Sequence, residues 1–196
     1  MSLPEILSKN LTIPAVAAPL FIISHPPLVL AQCKAGVIGS FPALNARPEA
    51  QLDEWLSEIT QELANHNAKN PARPAAPFAV NQIVHKSNTR LEHDLMMCVK
   101  YKVPIVISSL GAVPEVNAAI HSYGGIVLHD IINNRHANSA IRKGADGLIA
   151  VAAGGDEVLP DRTAAERARH DVFHLEMRAG EPATAIGADV AVPGEQ

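Results

Sequence analysis

The runs PIVISSL (104–110), GIVLHDI (125–131) and GLIAVAAG (147–154) are apolar and largely β-branched at consecutive positions, not at alternate ones. A strand with one wet face alternates. A continuous apolar run has both faces covered, as in a parallel sheet wrapped by helices. AVAAPLFII (15–23), VIGSF (37–41) and FAVNQ (78–82) read the same way as strands. Helix-length segments separate them. PPLVLAQCKAG (26–36) opens on two prolines and closes on glycine. In 47–67, Leu52, Trp55, Leu56, Ile59 and Leu63 recur at three- and four-residue steps. Segments 87–102, 114–124 and 133–144 supply the remaining helices. Six strand-helix steps of similar length predict an α/β chain of the (β/α)₈ TIM-barrel type. No GxGxxG follows the first strand, which argues against a dinucleotide-binding doubly wound sheet.

A closed barrel needs eight strands and about 250 residues. Here the chain has 196 residues, and the text changes character after Gly154: residues 155–196 contain no Lys and no Asn. The reading is an incomplete barrel over 1–154, followed by a tail over 155–196. In the tail, PDRTAAERARHDVFHLEMRAG reads as one helix and the end as irregular or a weak strand. Without the two closing units, the first and sixth strands have open edges beside Val16, Phe21, Leu148 and Ile149. Self-association through those edges is the expectation.

A formal net charge of −4 and 4% aromatic residues leave no basic or stacking surface for nucleic acid. The longest apolar run, IPAVAAPLFIISHPPLVLAQ, is broken by four prolines and a histidine, so no membrane span is expected. The first residues lack a basic region followed by a long apolar run, so a cytoplasmic protein without a signal peptide is expected. Cys33 and Cys98 lack CxxC spacing and read as buried, reduced thiols.

In a barrel, function sits on the loops at the C-terminal ends of the strands. Those loops read LFIISHPP, SFPALNARP, VNQIVHKS, SSLGAVP, HDIINNRH and AAGGDE. Their small residues leave room for a flat cofactor. The amides of Asn81, Gln82, Asn133 and Asn134 and the hydroxyls of Ser108 and Ser109 are groups to hydrogen-bond it. Plainer alternatives stand for Asn81 as a loop cap and for the serines as caps of the following helix; His129, at the end of the GIVLHDI strand, reads equally as a core histidine.

The segments PAVAAPLFIIS, GVIGSFPALNARP, PFAVNQIVHKSN, PIVISSLGAVPEV, GGIVLHDIINNRHA and KGADGLIAVAAG, in this order and spacing, resemble the nitronate monooxygenase (2-nitropropane dioxygenase) family over residues 10–154. The resemblance implies an FMN-dependent TIM-barrel flavoprotein. Its activity would be the oxidation of alkyl nitronates with O2 to a carbonyl compound and nitrite. It places Ala18, Pro19 and Leu20 against the flavin ring and Asn81 near it. Ser109 lies in the fourth loop and Val151 in the sixth, beside the substrate. His129 and Asp130 stand at the fifth-strand end, where other members present a Lys. After Gly154 the family continues with a glycine-rich stretch whose His is the catalytic base. This chain has Gly155, Asp156 and Glu157 there, so no catalytic residue is assigned. The seventh and eighth loops, which bind the FMN phosphate in that family, are not found either. A truncated or frame-shifted chain that binds FMN weakly or not at all is therefore the expectation. The alternatives are another FMN barrel enzyme of the enoyl reductase type, and a non-catalytic remnant or interaction protein. His170 and His174 with Asp171 imitate the HExxH zinc layout on the expected tail helix, but no third ligand follows, and zinc is not expected.

Overall fold

The computed structural model describes residues 4–151 and the backbone of 174–177. A short helix α1 (Glu5–Ser8) comes first, then α2 (Pro26–Lys34) and strand β1 (Gly39–Pro42). Next are α3 (Gln51–Lys69), β2 (Phe78–Ile83), α4 (Leu91–Lys100), β3 (Ile105–Ser109) and α5 (Pro114–His121). Then follow β4 (Ile126–Ile131), α6 (Asn134–Arg142), β5 (Gly147–Ala150) and β6 (His174–Met177). Helices α2 and α5 open on proline, where the missing N–H breaks no helical bond. The Asn133 side chain caps α6 by accepting from the His136 N–H at 2.9 Å.

The strands form one sheet in the order β1-β2-β3-β4-β5-β6. β1 to β5 are parallel neighbours, each joined to the next by a helix. One row of the register runs Pro42, Asn81, Ile107, Leu128, Gly147. The continuous apolar runs are explained by what covers each face. On one face Phe41, Phe78, Val80, Val106 and Val127 pack against Val29, Leu52, Leu56, Ile59, Cys98 and Ile120 of the helices. On the other, Ile38, Ala79, Ile105, Ile107, Leu128 and Ile149 pack with Leu7 of α1. Gly39 lets α2 approach: a Cβ there would lie 2.6 Å from the Val29 carbonyl oxygen and 3.0 Å from Cys33 Sγ.

Both cysteines are free and buried. Burial pushes the Cys33 thiol up to about 11 and the Cys98 thiol up to about 12. Because the thiolate is the reactive form, the folded chain is expected to resist a thiol reagent at neutral pH and to expose both thiols only on unfolding. Thiol titration with and without denaturant checks this.

Three expectations are corrected. The expected strand 15–23 reduces to a single parallel bridge, Val16 to Ile38; Leu20, Phe21, Ile22 and Ile23 are exposed. Residues 174–177, expected within the tail helix, are extended and pair antiparallel with β5, Ala150 opposite His174 and Gly147 opposite Met177. The helical spacing that would align His174 with His170 is therefore absent at His174, and His170 and Asp171 lie outside the described residues. The same pairing covers the edge of β5 carrying Leu148 and Ile149, which was expected to be open.

Candidate functional site

The strand C-termini gather at one rim, and alternation along each strand sorts the rim residues onto two faces. Gln82, Ser108 and His129 are paired in register and point to the helical layer. There Gln82 Nε2 meets Cys98 Sγ at 3.3 Å, and Ser108 Oγ donates to the Gly111 carbonyl at 3.2 Å. Asn81, Ser109 and Asp130 are each displaced by one residue from that row and face the other way. Asn81 Nδ2 donates to Ser109 Oγ at 2.6 Å and to the Ile107 carbonyl at 3.1 Å. Both its donors are thus used, and its Oδ1 acceptor has no bond among the described residues. The structure therefore brings together Asn81, Ser109 and Asp130 and separates His129 from them.

His129 is 1% exposed, its Nε2 at 3.3 Å from Asn117 Oδ1 of α5. Burial holds its pKa below the ordinary histidine value. It is buried on the helical side of the sheet with a partner in α5. The unfolded chain then binds a proton that the folded chain refuses. Stability should fall as pH drops below the unfolded histidine value of about 6.5. Denaturant midpoints measured on both sides of that value should show the fall, and His129→Gln should reduce it.

Ala18, Pro19 and Leu20 begin a loop that extends past the Val16 bridge toward the same rim. The Ser40 hydroxyl donates to the Ala17 carbonyl. Ser24 Oγ accepts from the Leu20 N–H at 2.9 Å. Arg47 lies over the Phe21 ring, its Cζ 5.1 Å from the centroid. The loop side chains of Leu20–Ile23, together with Leu110 and Ile132 after β3 and β4, form an exposed apolar fringe at the strand C-termini. Val151, at the edge of the described residues, continues β5 with its N–H donating to the Ile131 carbonyl at 2.8 Å.

Two groups that shape this rim carry no sequence motif. Asn45 bonds three backbone groups of the loop 20–24. Arg90 reaches from the start of α4 to the Ala46 carbonyl at 2.7 Å and is paired with the buried Asp94 at 3.0 Å. The only local signal for the second is the i, i+4 spacing of Arg90 and Asp94. Two concavities are lined by other residues. One of about 500 Å³ is lined by Pro27, Leu30 and Glu58, and one of about 230 Å³ by Thr12, Gly36 and Arg73. Among the described residues no group of three or more His, Cys, Asp or Glu is arranged to hold a metal, and no helix is long and apolar enough to cross a membrane.

The backbone resembles solved structures of two bacterial proteins. FabK from Thermotoga maritima matches with a TM-score of 0.60 at 23% identity, over 74% of this chain and 42% of that one. A nitroalkane oxidase from Streptomyces ansochromogenes matches with a TM-score of 0.62 at 19% identity, over 74% of this chain and 48% of that one. The fold is TIM-barrel type, in part. This chain spans less than half the length of either protein. No protein-family model matches the sequence, and no curated protein matches it.

Proposed function

We propose that this chain is a flavin-dependent oxidoreductase that holds FMN at the C-terminal rim of its sheet and acts on an alkyl nitronate with O2. The observation that carries the reading is the bonded pair Asn81–Ser109, beside Asp130 on one face and next to an exposed apolar loop. A flat heteroaromatic ring with donor and acceptor edges needs that combination of amide, hydroxyl and apolar wall. The fit rests on Asn81: a nearly buried amide with both hydrogens committed presents an acceptor oxygen whose direction is fixed. Ser109, accepting from Asn81, has its hydroxyl hydrogen left to donate. The backbone of Ala18, Pro19 and Leu20 and the side chains of Leu20–Ile23 would cover the ring and exclude water.

The chemistry that a bound flavin supplies is the removal of electrons from the substrate and their delivery to oxygen. The residues of this chain bind, orient and desolvate. Support for the oxidoreductase reading comes from the order of the sequence motifs and from the fold shared with the nitroalkane oxidase. FabK shares the same scaffold to a similar degree, which makes an enoyl reductase the second reading. Oxygen uptake with propyl nitronate, in the presence of FMN, tests the first. Reduction of an enoyl thioester without oxygen uptake would replace it with the second, and neither activity would leave a non-catalytic chain.

A further inference from the structure

Among the described residues, four non-glycine residues have positive φ: Asn10, Ile22, Lys102 and Leu110. Asn10 and Lys102 lie in connections that lead toward strands. Ile22 (φ +69°) and Leu110 (φ +62°) are apolar, are 77% and 68% exposed, and both stand at the C-terminal rim. A β-branched residue strongly disfavours this left-handed backbone, and its occurrence marks a conformation imposed from outside. For Ile22 the imposing group is visible. Asn45 Oδ1 accepts from the Ile22 N–H at 3.1 Å, and Asn45 Nδ2 donates to the Leu20 carbonyl at 3.0 Å and the Ser24 carbonyl at 2.8 Å. Both amide hydrogens and one acceptor position are used on a single loop, a set that neither Asp nor Ser can reproduce.

We propose that Asn45 is a positioning residue for the flavin site: it locks the loop 20–24 in a strained form that presents Leu20, Phe21, Ile22 and Ile23 along the rim beside Asn81 and Ser109. The loop is also closed on itself, the Ser24 N–H donating to the Leu20 carbonyl at 3.0 Å and the Ser24 hydroxyl accepting from the Leu20 N–H at 2.9 Å; Asn45 adds the bond to the Ile22 N–H itself. Asn45 is itself fixed at the end of β1, between the carbonyls of Ala43 and Ala46 that Arg90 grips. The ligand half of this inference rests on the flavin reading, and the loop half does not.

The test uses the full chain with Asn45→Ala, read by amide hydrogen exchange and by FMN titration. The expected result is at least a tenfold faster exchange of the Ile22 amide, with the amides of β2 and β3 unchanged, and at least a tenfold weaker FMN affinity. Adding Ile22→Gly to Asn45→Ala should restore part of the lost melting temperature but not the affinity, since glycine adopts positive φ without strain yet supplies no side chain to cover the ring. Unchanged exchange at Ile22 overturns the proposal, as does faster exchange with FMN affinity intact. If the unaltered chain binds no FMN, the flavin reading fails and the ligand half of the proposal falls with it, while the exchange arm still decides the loop half. Should Asn45→Ala not fold, Ile22→Gly alone carries the test: it should raise the melting temperature by relieving the strain, and a lowered melting temperature contradicts a loop held in the left-handed form.

Discussion

Asp94→Ala is expected to lower the unfolding free energy by about 3 kcal/mol, the scale for breaking one partner out of a buried ion pair. Asp94 is fully buried, with Oδ1 at 3.0 Å from Arg90 Nη2 and 3.0 Å from His93 Nδ1. Its loss leaves the Arg90 guanidinium, 18% exposed, without its close carboxylate; the nearest other is Glu49 at 3.9 Å. The pair is not ideally satisfied, since among the described residues Asp94 Oδ2 and Arg90 Nε have no hydrogen-bond partner. Replacing both residues with apolar ones should therefore cost less than the two single losses added together. Urea unfolding of the single and double variants measures both effects. A cost for Asp94→Ala below about 1 kcal/mol, the range of an exposed pair, would show that the cluster is wet and that the loop 43–46 is not held by it.

Asn81→Leu is the second change with a large expected effect. Leucine keeps the approximate bulk but leaves Ser109 Oγ and the Ile107 carbonyl without the amide donors they share. The lost donor to Ser109 Oγ costs about 1–3 kcal/mol where that oxygen is buried, whereas the Ile107 carbonyl stays within the β2–β3 ladder. The acceptor proposed to meet the ring is lost as well. FMN affinity should fall at least about tenfold, equivalent to about 1.4 kcal/mol, and more than for Gln82→Leu. Gln82 lies one residue on but faces Cys98 in the helical layer. Equal losses at positions 81 and 82 would mean that the rim face has been wrongly chosen.

The contrast between neighbouring positions shows what the sequence can specify. The strand cores, and the helix that buries Leu52, Leu56, Ile59 and Leu63, were legible because period and composition carry them. The assignment of His129 and Asp130 to opposite faces was not. Both faces of a barrel-type sheet are covered, so no alternation of polar and apolar residues says which way a given side chain points. The run 20–23 was read as strand because it is apolar, yet here apolar character serves a rim loop turned by the left-handed Ile22. Asn45 and Arg90 have no local signal because their bonds to the loops span 21 to 47 residues; Asp94 pairs with Arg90 four residues away, a spacing as common on an exposed helix face as in a buried pair. The strand at 174–177 had a signal, the period-two alternation of His-Leu-Glu-Met, which a helix assignment overrode.

The central claim is that the C-terminal rim bearing Asn81, Ser109 and the loop 20–24 holds a flavin. Titrating the full chain with FMN and following flavin fluorescence tests it most directly. The account predicts saturable binding of one flavin per chain, weak but measurable, that Asn81→Leu weakens at least about tenfold and His129→Gln leaves unchanged. Fluorescence that does not respond to the protein, or binding indifferent to Asn81, would contradict it.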